Sequence, residues 1–168
     1  CLRGIGRICF HLGDNDKSIK HYNRALKIAK KLDDKSGIAV CLNGLGAVYQ
    51  EKSNSKKSLN YYMRAFKVSK QLGDELVMSY RYTNIGLTYT RAGDYDEALD
   101  YYNRSIKIKE KFKDKSGIAS TLNNIGHSYW FKGEYDKALD YYTQSYEIRE
   151  QTGDNKGMGS SLSNIGMI

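Results

Sequence analysis

The chain has 168 residues, a formal charge of +8 and no proline, the strongest helix breaker, so its composition favours an all-helical protein. No apolar run approaches the ~20 residues of a membrane-spanning helix. The three cysteines are odd in number and form no Cys-x-x-Cys pair, which argues against a disulfide framework. This cysteine usage favours the cytoplasm, with the periplasm as the alternative if the chain belongs to a sensor protein.

Similar residues recur every 40 positions along the whole chain. The clearest series are Gly6, Gly46, Gly86, Gly126 and Gly166; Ile5, Leu45, Ile85, Ile125 and Ile165; and Tyr22, Tyr62, Tyr102 and Tyr142. A strict period of this length is typical of a repeat array. We therefore divide the chain into a truncated repeat 1–33, full repeats 34–73, 74–113 and 114–153, and a partial repeat 154–168.

The sequence pattern within each repeat predicts two antiparallel helices joined by a short turn. After a truncated first helix, the best-defined helices are expected near residues 36–51, 56–72, 76–91, 96–112, 116–131 and 136–151. Asp74 is expected to cap the helix that follows it, and Asp94 with Glu97 forms a pair that can cap the next helix reciprocally. Gly93 occupies a position that suits a left-handed residue at the end of a helix. Ser53 replaces this glycine in the second copy, where positive φ would strain a serine, and we expect its turn to be looser than the others.

Two further features concern packing and charge. Gly86 lies on the apolar stripe of its helix, where the missing side chain would let the next helix approach closely, with Ala98 as its small partner. Lysines crowd the second half of each unit, and we interpret them as a solvated face that complements the helix dipole. They are Lys27, Lys30, Lys31 and Lys35 in one unit, and Lys107, Lys109, Lys111, Lys113 and Lys115 in another.

The unit resembles the tetratricopeptide repeat. The pattern Leu122-x-x-Ile125-Gly126-x-x-Tyr129 followed by Ala138-x-x-x-Tyr142 matches that family's W-x-x-L-G-x-x-Y and A-x-x-x-F. Its terminal proline is missing, and the longer unit is similar to the 40-residue variant of Pins-type adaptors and of bacterial regulatory and sensor-kinase proteins. The resemblance implies an all-α, right-handed superhelical solenoid of antiparallel helix pairs, about four repeats long, that has no enzymatic activity and binds proteins.

In the family that the chain resembles, the first helix of each pair lines a concave groove. Positions about a quarter turn from the core stripe would form that wall, and their side chains differ from copy to copy. We expect partner binding at Arg7, Asn43, Gln50, Tyr80, Thr83, Leu87, Arg91, Asn123, His127 and Trp130, beside the further wall positions Arg3, Phe10 and Ala47. Asn124 recurs as Asn84 and Asn164, which suggests a structural amide or one that binds peptide backbone.

Sequence patterns for catalysis, metals and phosphate binding are weak. His127 has no cysteine, serine or carboxylate at a helical spacing that would orient it. The three histidines lie in different helices without an H-E-x-x-H motif, so we expect no metal and no cofactor. Chaperone-type carboxylate clamps need basic residues where this chain has Tyr80 and Asn84, or Ser120 and Asn124, so such a clamp is disfavoured.

The predicted function is a protein-interaction scaffold that holds a peptide or partner segment, preferably acidic, in its groove. Nucleic acid is disfavoured because no recognised motif accompanies the charge. The alternatives are a sensory or regulatory segment of a larger signalling enzyme and a structural, self-assembling spacer. No signal peptide is visible, and the chain begins and ends within helices, so we expect a piece of a longer array. The terminal helix, with Leu162, Ile165 and Ile168, would then offer an apolar face for self-association.

Overall fold

The backbone follows the periodic pattern closely. The computed structural model describes residues 2–168, and nine helices account for this part of the chain without a strand. They are α1 (Leu2–His11), α2 (Asn15–Lys31), α3 (Lys35–Glu51), α4 (Ser55–Leu72), α5 (Glu75–Ala92), α6 (Tyr95–Lys111), α7 (Lys115–Phe131), α8 (Tyr135–Thr152) and α9 (Asn155–Ile165). The predicted boundaries are confirmed to within one residue.

Each connection between helices turns on one residue with left-handed backbone, and these residues recur every 20 positions. Glycine fills the position five times, at Gly13, Gly73, Gly93, Gly133 and Gly153, with φ between 70° and 90°. Asp33, Ser53 and Lys113 occupy it with φ of 50°, 53° and 54°. Ser53 is therefore left-handed as expected, but it is one of three strained turns, since L-residues with a side chain disfavour this region.

Carboxylate or amide side chains cap six of the helices. Asp34, Asp74 and Asp114, for example, accept hydrogen bonds from the backbone N–H groups of Gly37, Val77 and Gly117 over 2.8–2.9 Å. The predicted reciprocal cap of α6 is wrong, because the side chain of Asp94 accepts no such bond. The acidic residues Asp96 and Glu97 in the first turn of α6 instead lie where they complement the helix dipole.

Within a pair, the close approach of the two helices depends on glycine facing a tyrosine ring. A Cβ added to Gly86 would lie 2.7 Å from Cε1 of Tyr102, and one added to Gly126 would lie 2.6 Å from Cε1 of Tyr142. Tyr102 and Tyr142 are fully buried. The role of Gly86 is thus confirmed, but its partner is the Tyr102 ring and the carbonyl of Ala98, not the Ala98 side chain.

The first helices form the inner layer of the array. Neighbouring first helices contact each other, α1 with α3 and α5 with α7. Side-chain hydrogen bonds also join first helices: Asn84 Nδ2 donates to Asn43 Oδ1, and Asn164 Nδ2 donates to Asn123 Oδ1, each over 2.9 Å. Within residues 2–168, no side-chain hydrogen bond joins one second helix to another. The second helices α2, α4, α6 and α8 therefore form the outer layer.

Candidate functional site

The predicted wall residues divide into those that face open space and those already engaged within the array. Arg7, Tyr80 and Arg91 are exposed, whereas Asn43, Thr83, Leu87, Asn123, His127 and Trp130 are half-buried. Gln50 is buried, and its side-chain amide donates to Thr88 and accepts from Tyr62. Gln50 therefore lies mainly between helices, although it also lines the cleft described below.

Several exposed wall groups are also held by neighbouring units. Tyr80 donates from its hydroxyl to Oδ2 of Asp114 over 2.7 Å, and this bond raises the pKa of Tyr80 to about 12. Arg91 lies 3.5 Å from Oε1 of Glu51, a carboxylate at the end of α3. Its positive charge is therefore partly neutralised within the chain, while Arg7 makes no ion pair among the described residues.

The asparagine bonds along the inner layer leave one amide free. Asn84 and Asn164 use their side chains to bond Asn43 and Asn123. The equivalent pair between α5 and α7 is missing because Thr83 stands where the other copies have Asn43 and Asn123. The side-chain amide of Asn124 makes no hydrogen bond within residues 2–168. It is half-buried, and it is available to bind a peptide backbone.

His127 packs into the array between Tyr142 and the side-chain amide of Asn164. Its ring meets Tyr142 edge to face at 5.5 Å between centroids, and its Nε2 lies 3.4 Å from Nδ2 of Asn164. Burial lowers the pKa of His127 below its ordinary value, so the ring is neutral at pH 7. A neutral imidazole between an aromatic ring and an amide suits packing and hydrogen bonding.

A cleft of about 480 Å³ opens where the ends of α3 and α5 meet the following turns. Arg91 is the only exposed predicted site residue in its lining, and the buried Gln50 forms part of its floor. Tyr95 and Phe131, which stack nearly parallel with centroids 6.1 Å apart, provide an aromatic wall. The remaining lining residues are Ser53, Ser55, Thr90, Ala92 and Gly93. Trp130 lies next to this cleft, with its ring 5.1 Å from that of Phe131.

The two aromatic residues of the cleft were not among the predicted wall positions. Phe131 is 53% exposed at the last position of α7, and Tyr95 is at the first position of α6. Tyr95 begins a second helix, whereas the wall was predicted from first helices alone, and Phe131 was left out although the equivalent Arg91 was included. For Phe131, the sequence did hold a signal. The equivalent positions carry Glu51 and Arg91, so this position varies from copy to copy as the other wall positions do.

The prediction that the lysines form a solvated face is wrong for Lys109. Its side chain is 1% exposed, and its amine donates to Thr83, Thr121 and the carbonyl of Gly117. Burial lowers the pKa of Lys109 to about 8. Position 109 is seven residues after the buried Tyr102, on the inward stripe, so the helical period already placed it inside.

The same junction position carries a buried cation in the last full unit. Arg149, 40 residues after Lys109, donates to the carbonyl of Gly157 and to Oγ of Ser161. Both cations donate across the junction between units to oxygen atoms in the N-terminal half of the next first helix, α7 or α9. We assign them to packing because neither faces the cleft.

Residues 2–168 form neither a metal-binding cluster nor a membrane-spanning helix. Residues 2–168 contain no cluster of three or more His, Cys, Asp or Glu side chains with metal-binding geometry. None of the described helices combines the length and the apolar character that crossing a bilayer requires.

Comparisons with known proteins agree on the architecture. The model of the tetratricopeptide repeat matches residues 1–71, 75–151 and 117–168. A search of curated proteins finds no match. Among solved structures, BtubC (BKLC) from P. vanneervenii is similar over 99% of this chain and 69% of its own, with a TM-score of 0.85 and 19% identity.

Two further solved structures have the same fold, with comparable TM-scores and sequence identities. A Rap protein complexed with competence and sporulation factor has a TM-score of 0.87 and 20% identity over 95% of this chain. Aspartyl phosphate phosphatase F from Bacillus subtilis has a TM-score of 0.88 and 15% identity over 96% of this chain. This chain spans only 45% and 42% of those two proteins. At such identities the likeness concerns the fold.

Proposed function

Because the chain belongs to the tetratricopeptide-repeat family, whose arrays are protein-interaction scaffolds, we propose that its inner layer binds an extended peptide segment of a partner protein. The observation that carries this proposal is the cleft of about 480 Å³ at the ends of α3 and α5. It lies at the edge of the inner layer, where the ends of first helices meet the turns and the first residues of α4 and α6, and Phe131 and Tyr95 give it an apolar side. No catalytic role is assigned to any residue.

The peptide contacts follow from the chemistry of the lining. The Tyr95–Phe131 stack would receive an apolar or aromatic side chain, since exposed aromatic surface gains most from desolvation in such a contact. Arg91 would exchange its 3.5 Å contact with Glu51 for a carboxylate of the peptide. An acidic residue next to an aromatic residue is therefore the favoured peptide pattern.

A second contact lies farther along the same layer. The free amide of Asn124 can donate to a peptide carbonyl and accept from a peptide N–H, which fixes an extended backbone without reading its sequence. Leu87 and His127, on the neighbouring wall positions of α5 and α7, would border that segment. We thus expect the aromatic cleft to provide most of the binding affinity and Asn124 to orient the peptide backbone.

Phe131 and Phe112 allow a matched test of the cleft. Both are exposed, at 53% and 46%, but Phe112 lies at the opposite end of a pair, just after α6. Peptides selected from a random display library on the intact protein would be measured by calorimetry. We expect Phe131→Ala to weaken binding about tenfold or more, while Phe112→Ala leaves it unchanged. Equal effects of the two variants, or failure to select any peptide, would contradict the proposal.

A self-assembling spacer is the second candidate, and one observation favours it. The two ends of the array expose large apolar side chains, among them Ile8 in α1 (59%), Leu12 just after it (78%) and Leu162 in α9 (53%). Patches of this kind mark interfaces when they are contiguous. Sedimentation velocity across a range of concentrations would separate this candidate, because a scaffold of the first type stays monomeric without its peptide.

A further inference from the structure

The outer layer carries an uneven distribution of charge that the groove does not explain. The second helices of the first two units are strongly basic: α2 has six lysines or arginines and one acid, and α4 has five and none. The later second helices are different, since α6 has four basic and four acidic residues and α8 has two and four. One half of the outer layer is therefore a cationic surface.

Four positions per helix define this surface, which we call the basic face. They repeat at the 40-residue period on α2 and α4 as Lys17 and Lys57, Arg24 and Arg64, Lys27 and Lys67, and Lys30 and Lys70. All eight side chains are exposed. The same positions read Glu97, Arg104, Lys107 and Glu110 on α6, and Lys137, Gln144, Glu147 and Glu150 on α8. The repeat therefore allows acids there, and the first two units have none.

Few of these charges are neutralised inside the protein. Of the eight residues of the basic face, only Lys17 has an ion pair among residues 2–168, with Asp14. By contrast, Arg104 and Lys137, at equivalent positions in the later units, pair with Asp100 and Glu134. Like charges three and four residues apart on one helix face repel each other. A polyanion that covered the basic face would relieve this repulsion.

We propose that the basic face binds the surface of an anionic lipid bilayer. The face is two helices wide and lies on the outer layer, so its charges are spread over an area and not along a groove. Six of its eight residues are lysines, which act as point charges and need no fixed carboxylate or phosphate geometry. Ile28 and Met63, 45% and 46% exposed on α2 and α4, add apolar surface at the edge of the face.

Other polyanions fit these features less well. A nucleic acid backbone presents its phosphates along a line, and base recognition needs side chains that enter a groove, whereas this face is broad and lies outside the array. An acidic peptide on an outer surface would gain only solvent-screened ion pairs. Lipid headgroups are mobile and can gather under the lysines. Each lysine near an anionic bilayer strengthens binding roughly 5-fold.

The test compares two double variants with the same loss of charge. Lys27→Gln with Lys67→Gln removes two charges from the basic face, and Lys107→Gln with Lys115→Gln removes two from the later units. Co-sedimentation would use phosphatidylcholine vesicles with and without about a third phosphatidylserine, at low and at physiological salt. We expect binding only to the anionic vesicles, decreasing with salt, and weakened about 10-fold or more by the first variant but little by the second.

Three results would overturn the proposal. They are no binding to anionic vesicles at low salt, equal losses for the two variants, and tighter binding to a duplex oligonucleotide or to polyglutamate than to vesicles at equal anion concentration. Peptide binding in the groove is measured by calorimetry without lipid. The two double variants are expected to leave it unchanged, so failure of the lipid proposal leaves the proposed function standing.

Discussion

The amine of Lys109 on α6 donates a hydrogen bond to Oγ1 of Thr121 on α7 over 2.7 Å, inside the junction between two units. The same amine reaches Thr83 on α5 at 2.9 Å. One buried lysine therefore joins three helices of adjacent repeats. Equivalent positions hold Ala29, Ser69 and Arg149, so each junction is packed differently although the repeat is regular.

Burial of Lys109 makes stability depend on pH. Its folded pKa of about 8 is below the ordinary lysine value, so between these values the unfolded chain binds more protons than the folded one. The penalty for burying the charge is present below pH 8 and is relieved as pH rises above 8. The wild type should therefore gain stability relative to Lys109→Met between pH 8 and 10, by about 1.4 kcal/mol per pH unit. Urea unfolding at both values measures this gain.

The comparison with Lys109→Met is needed because buried tyrosines act in the opposite direction. Burial raises the pKa of Tyr62 and Tyr102 above the usual tyrosine value, so their contribution to stability is lost as pH rises above 10. Both chains share this loss, and it cancels in the difference. A difference between the two proteins that is constant over this pH range would show that Lys109 is not a buried cation.

Glycine facing tyrosine should be the most sensitive position of a pair. In Gly126→Ala the new methyl group would meet the Tyr142 ring at 2.6 Å, and overpacking of this kind costs about 1–3 kcal/mol. Gly159→Ala is the control, because a Cβ there has no neighbour within 4 Å and alanine favours the helix by up to about 1 kcal/mol. The midpoint of thermal unfolding should be lower in Gly126→Ala and higher in Gly159→Ala than in the wild type. The opposite order would contradict the packing described.

The strained turns should gain stability when they receive glycine. Lys113→Gly relieves a left-handed lysine, and we expect a gain of about 0.5–1 kcal/mol in the free energy of unfolding. Asp33→Gly should gain less, because aspartate tolerates this conformation better than lysine. Chemical denaturation would measure both. Lys107→Gly, an exposed position inside α6, is the control and should lose stability. A loss of the same size in Lys113→Gly would show that the Lys113 turn is not strained.

Trp130 and Tyr129 are adjacent in sequence but differ in their surroundings. Tyr129 stacks on Tyr141 with ring centroids 5.4 Å apart, whereas Trp130 contacts Phe131 beside the cleft. Trp130→Ala should leave the melting temperature nearly unchanged and weaken peptide binding. Tyr129→Ala should destabilise the fold by about 3 kcal/mol, since it removes a packed aromatic ring. Unfolding of the protein by Trp130→Ala would place that residue in the core.

The regular part of this molecule was predictable from its sequence because it repeats. The 40-residue period gave the helices and the residue that closes each turn, and local rules gave most caps. Asp94 shows their limit, since a suitable sequence did not produce the cap bond. The site was less predictable. Gln50 was assigned to the wall, and only the neighbouring Thr88 and Tyr62 show that it lies between helices.

Contacts between units are the part that one repeat does not encode. Asn84 is bonded to Asn43, while the side chain of Asn124 has no hydrogen-bond partner among residues 2–168, although the two asparagines occupy the same position. The difference depends on which residue the neighbouring unit supplies, Asn43 in one case and Thr83 in the other. The same reasoning applies to Phe131, which becomes part of a cleft only through its stacking on Tyr95.

If a peptide binds at the cleft where α3 and α5 end, the fluorescence of Trp130 should report it directly. Trp130 is the only tryptophan of the chain, and its ring lies 5.1 Å from that of Phe131. A peptide selected on the intact protein, and free of tryptophan, would be titrated while Trp130 emission is recorded. We expect a saturable change in emission with the same Kd as calorimetry, and the loss of both signals in Phe131→Ala. Calorimetric binding without any change in Trp130 emission would contradict binding at this cleft.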